Sequence, residues 1–216
     1  MPIYCDPENK SFTLTTQDTM YQMQIGPVGH LLHLYYGPKT DCCFDYLQPD
    51  RDCGFSPNPY DWQQGRGWSL DTKAQEYSSA HTGDYRVSSL RLKTDAGICG
   101  TDLRYVSHTI REEKYRIPGM PSAFDKTGSA CCLSITLKDA ATGVQVELLY
   151  GVFEAENVIT RAVRVINAGD SVVMLEQAAS ACLDIPFGSW QLIHFHGRHT
   201  MERMPERRDL IQGIQT

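Results

Sequence analysis

Apolar and polar residues alternate with a period of two over most of the readable segments of this chain. Tyr21, Met23 and Ile25 alternate with Gln22 and Gln24, Leu133, Ile135 and Leu137 with Ser134, Thr136 and Lys138, and Val144, Val146 and Leu148 with Gln145 and Glu147. Successive side chains of a strand point to opposite faces, so each segment predicts a strand with one buried face. Asp139-Ala140-Ala141-Thr142-Gly143 joins the last two and has hairpin length; Asn167-Ala168-Gly169-Asp170 separates 159–166 from 172–175 in the same way. The second half therefore predicts an antiparallel meander.

Helical periodicity is hard to find over any window of a dozen residues, and Gly and Pro punctuate the chain throughout, which argues against strands alternating with helices. The expected fold class is all-β. Residues 48–86 differ: they are rich in Pro, Gly, Asp and Arg without a clear period, and their rings (Phe55, Tyr60, Trp62, Trp68, Tyr77, Tyr85) favour an ordered, functional loop.

At 216 residues the chain suits one large all-β domain, 1–216, able to bury a real core. A net charge of −6 gives no electrostatic reason for nucleic acid as a partner. The N-terminal residues have neither the basic nor the apolar region of a secretion signal, and no run approaches the roughly 18 apolar residues of a membrane span. The expectation is a cytoplasmic protein with no membrane partner. Four of the eight cysteines come as two adjacent pairs, Cys42-Cys43 and Cys131-Cys132, and no Cys-x-x-Cys occurs, so the thiols read as reduced and not as a zinc or redox motif.

Three constellations could carry chemistry. In His194-Phe195-His196 two imidazoles share a face if the segment is a strand, and His199 could approach them after a turn at Gly197. A metal needs further ligands from elsewhere, no second matching cluster is visible, and Arg198 would repel a cation, so the expectation is a structural or interface role, with no metal and no cofactor. The strip 198–208 interleaves acid and base, as in a solvated loop of weak ion pairs or an Arg-rich subunit contact. Asp50 and Asp52 flank Arg51, which favours both ionised forms, whereas a general acid needs a raised pKa. Sugar binding suits that loop better, because carboxylates accept hydrogen bonds from hydroxyls while rings cover the apolar side of a pyranose. Around Trp68-Ser69-Leu70-Asp71-Thr72, local backbone bonds and a pairing of Arg86 with Asp84 or Glu76 describe a folded surface loop.

Several segments resemble one family in order along the chain. Asp52 through Pro59, Ser69-Leu70-Asp71-Thr72 with Gln75-Glu76-Tyr77, Gly83-Asp84-Tyr85-Arg86, and Phe195-His196-Gly197-Arg198-His199 with Met201-Glu202-Arg203 are similar to signatures of the N-terminal region of family 36 glycoside hydrolases, the microbial α-galactosidases. The resemblance departs at Cys53-Gly54, where one residue usually precedes Phe, and at Ser78-Ser79, where a proline is common.

The resemblance implies an antiparallel β-supersandwich of the galactose mutarotase-like type, in the family ordinarily longer than this chain, ahead of a catalytic (β/α)₈ barrel that would hold both catalytic aspartates of a retaining mechanism. No catalytic residue is expected within this chain. The implied jobs are to build a homo-oligomer, or to join a separate barrel-bearing chain, and to send a loop toward the active site. Asp52, Phe55, Arg66 and Trp68 are the residues implied to approach α-galactosides of the melibiose or raffinose type. The competing readings are a freestanding carbohydrate-binding module and a purely structural oligomerisation domain. A shortened sandwich also predicts unpaired strand edges and marginal stability.

Overall fold

The computed structural model describes residues 1–48, 68–126, 128–184 and 188–211. The chain divides into two compact units, Met1–Asp184 and Ile185–Thr216. Among the described residues there is no α-helix, and no helix long and apolar enough to cross a membrane.

In the first unit, β1 (Ile3–Asp6), β2 (Ser11–Thr15), β3 (Thr19–Ile25) and β4 (Leu31–Pro38) form one antiparallel sheet in chain order. After β5 (Leu90–Thr94), a second sheet runs β6 (Leu103–Arg111), β7 (Cys131–Asp139), β8 (Val144–Phe153) and β9 (Val158–Asn167), again antiparallel in chain order. The alternation predicted for β7 and β8 is present. Leu133, Ile135 and Leu137 are buried at 0–1 % exposure opposite Tyr150, Leu148 and Val146, while Lys138 faces outward. Phe12, Leu14, Tyr21 and Met23 from the first sheet join these residues in one apolar core, which makes the unit a sandwich. Each such side chain removed from water contributes roughly 1.5–3 kcal/mol before chain entropy is counted.

The β7–β8 connection shows how sequence sets register. Asp139 ends β7 and turns its own carboxylate back onto the N–H groups of Ala141 and Thr142 and the Thr142 hydroxyl, at 3.4, 3.1 and 2.5 Å. Gly143 then takes φ +75°, a left-handed conformation that glycine adopts without steric cost.

One prediction is corrected here. The meander ends at β9, because β10 (Val173–Ala178) leaves it and pairs with β5, Val173 opposite Thr94 and Ala178 opposite Leu90. Among the described residues no sheet closes on itself. In the second unit, β11 (Gln191–Arg198) and β12 (Met201–Asp209) form a two-stranded antiparallel ribbon with a bulge between His196 and Arg198. The strip 198–208, read either as a solvated loop or as a subunit contact, is mostly β12. Its turn lies at residues 199–200, two positions beyond Gly197.

Candidate functional site

Most of the segment from Trp68 to Ser79 is interior, not a surface loop. Its backbone bridges β4: Leu32 pairs with Gln75, the Glu76 N–H donates to Leu31, and the His33 N–H donates to Ala74. Those bonds carry Glu76 into the core, where its carboxylate is fully buried. Tyr21 donates to both carboxylate oxygens at 2.8 Å, Tyr150 donates to Oε1 at 2.7 Å, and His33 Nδ1 lies 3.3 Å from Oε2. The charge is met by Arg161, whose Nη2 is 2.9 Å from Oε1 and also donates to the Glu76 carbonyl.

Burial first, and then the charge of Glu76, pushes the Tyr21 and Tyr150 phenols far above the usual range. Burial weakens the charge of Arg161, but Tyr150, Glu76 and Tyr21 outweigh it and hold the guanidinium above its ordinary pKa. The expected pairing of Arg86 is met at Asp84, with a second partner in Asp184, and not at Glu76. Sequence reasoning placed Tyr21 on the buried face of a strand but did not single out Tyr21, Tyr150 or His33 as partners of Glu76. A signal for Arg161 existed: Ile159, Val163 and Val165 pack on the core from β9, and Arg161 interrupts their alternation.

Of the residues implied to approach sugar, Asp52, Phe55 and Arg66 lie outside the described residues, as do Asp50 and Arg51. Trp68 is 5 % exposed. The Lys73 ammonium sits 4.9 Å from the centroid of its ring, and the ring edge packs so closely on Gly26 that a Cβ there would meet it at 2.9 Å. Trp68 borders a cavity of about 340 Å³ with Gln24, Asp45, Gln48 and Lys73, and its buried indole N–H has no hydrogen-bond partner among the described residues.

The three buried carboxylates among the described residues are Glu76, Asp84 and Asp139. Each is occupied: Glu76 as above, Asp84 by Gln75 and Arg86, and Asp139 by its turn. A retaining glycosidase needs two carboxyl groups about 5–5.5 Å apart across a scissile bond, one free to give a proton and one to attack. Carboxylates saturated by Arg, Tyr and backbone donors hold structure instead.

In the ribbon, His194 and His196 do share a face, with ring centroids 5.7 Å apart. His199 does not join them. Its side chain is 97 % exposed, with Nδ1 3.8 Å from Glu202. The group that does meet both imidazoles is Glu206, which sits opposite His194 on β12.

The described residues of the first unit define an all-β sandwich with a polar cluster at its centre. The Glycosyl hydrolase family 36 N-terminal domain matches residues 29–216, and the chain belongs to that family. It is 46 % identical over 213 residues to the bifunctional alpha-galactosidase/sucrose kinase AgaSK of Mediterraneibacter gnavus, covering 99 % of this chain and 23 % of that protein. Alpha-galactosidase AgaA of Geobacillus stearothermophilus is 36 % identical over 217 residues, covering 100 % of this chain and 30 % of AgaA. The solved galactosidase domain of AgaSK superposes with a TM-score of 0.93 over 98 % of this chain and 29 % of that one. Geobacillus AgaA carrying two substitutions, solved in complex with raffinose, gives 0.89 at 36 % identity over 95 % of this chain and 29 % of that one. The chain thus spans less than a third of the relatives it matches.

Proposed function

We propose that this chain works as the N-terminal part of a retaining α-galactosidase acting on terminal α-galactosides of the melibiose and raffinose type. The match that runs along the whole chain while covering under a third of enzymes of that activity carries the reading. In this reading 1–216 is one domain in two pieces, and the catalytic aspartates belong to a barrel elsewhere in the whole protein. The domain contributes an oligomer contact and a loop at the edge of the active site, where Asp52, Phe55, Arg66 and Trp68 approach sugar.

Two observations support the division of labour. The buried carboxylates are tied up in structural bonds, and Trp68 borders a cavity. Phe195, Ile193 and Leu192 stand 40–68 % exposed on β11, apolar surface suited to cover by the rest of the protein or by another subunit. The seven cysteines among the described residues are unbridged, as a reducing cytoplasm would keep them.

The test is hydrolysis of an aryl α-galactoside. The 216-residue chain alone is expected to give no turnover, and the whole protein with Trp68→Ala is expected to lose roughly tenfold in kcat/KM, about 1.4 kcal/mol of transition-state binding. Turnover by the chain alone would overturn the proposal.

A further inference from the structure

We propose that His194, His196 and Glu206 form a binding site for a divalent cation of the zinc type on the β11–β12 ribbon. The two histidines are i and i+2 on one strand, and Glu206 pairs directly with His194 across the ribbon, so all three side chains rise from one face. Glu206 Oε2 lies 3.4 Å from His194 Nε2 and 3.4 Å from His196 Nδ1. Two ligands of a tetrahedral zinc with bonds of about 2.05 Å stand about 3.3 Å apart, so both contacts already have the length of a tetrahedron's edge. The three donor atoms lie within 4.8 Å of one another, and the histidine side chains, 36 and 56 % exposed, have room to close the last edge.

The donor chemistry fits a borderline metal. Two imidazoles and one carboxylate match the ligand preference of zinc, with a fourth position left open. Arg208 takes the other carboxylate oxygen, Oε1, and so orients Glu206 with Oε2 toward the imidazoles, as partners behind a metal ligand do. An isolated two-stranded ribbon has little stability of its own, and a metal bridging β11 to β12 would fasten it.

The test is titration of cobalt chloride into the 216-residue chain. The expected result is visible d–d bands of low-coordinate nitrogen and oxygen ligation without sulfur charge transfer, which separates this site from the thiols, and loss of the bands on adding zinc chloride. His194→Ala, His196→Ala and Glu206→Gln are each expected to weaken binding by roughly tenfold or more, about 1.4 kcal/mol. Should a variant fail to keep the strand signal in circular dichroism, the unmodified chain labelled at histidine decides. Zinc chloride must then shift two of the seven imidazole resonances. Absence of bands at millimolar cobalt, binding carried wholly by sulfur, folded variants that bind as before, or no pair of shifted imidazoles overturns the proposal.

Discussion

The carboxylate of Glu76 and the guanidinium of Arg161 stand 2.9 Å apart, with side chains 0 and 12 % exposed. They come from an irregular segment and from β9, and Tyr21 of β3 and Tyr150 of β8 bond to the same carboxylate. One polar cluster therefore fastens both sheets of the sandwich to the segment that leads out of Trp68.

Breaking that pair from one side leaves a buried charge without its partner. Glu76→Gln and Arg161→Met are each expected to cost about 3–5 kcal/mol, and the double variant much less than their sum. Urea midpoints at constant slope measure it. Additive losses would show that the pair is not coupled.

The buried phenols predict the response to alkali. Burial pushes Tyr77 up to about 12, and Tyr21 and Tyr150 are raised as well. A folded pKa above the unfolded value gives stability that is whole below the unfolded tyrosine pKa of about 10 and is lost as pH rises through the folded value. Spectrophotometric titration should therefore find three of the eleven tyrosines ionising only as the strand signal disappears. Smooth ionisation of all eleven in the folded chain would contradict this.

Acid acts at a different place. Asp102 is 2.8 Å from both His30 Nε2 and Arg104 Nε; burial opposes its charge, but His30 and Arg104 prevail and hold the carboxyl below its usual value. The lowered folded pKa contributes stability above about pH 4, lost as pH falls through the folded value. Asp102→Asn should be less stable than the parent at neutral pH, and the gap between them should narrow below about pH 4. Thermal unfolding across that range measures the gap.

The turn after β7 tests register. A Cβ on Gly143 would come within 2.7 Å of the Gly169 Cα, and φ there is +75°. Gly143→Ala is expected to destabilise by about 1–3 kcal/mol. Asp139→Ala, which unties the Thr142 N–H and hydroxyl, should cost a similar amount, about 1–3 kcal/mol. Both read out as shifts in urea midpoint.

The sequence by itself determined what depends on near neighbours. Period-two alternation set the faces of β7 and β8, Asp139 and Gly143 marked their turn, and the ordered motifs pointed to the family. Alternation names the face of a strand but not its neighbour, so the pairing of β10 with β5 across some eighty residues was decided by the packed core alone. The same holds for chemistry. His194 and His196 could be placed on one face from their spacing, whereas Glu206 joined them only through cross-strand register. Gln75-Glu76-Tyr77 reads as a polar loop until its backbone bridges β4, and tertiary structure then makes Glu76 the charge around which two tyrosines and an arginine close. A buried ion is tolerable only where partners converge from distant parts of the chain, and that convergence is a property of the fold and not of any segment.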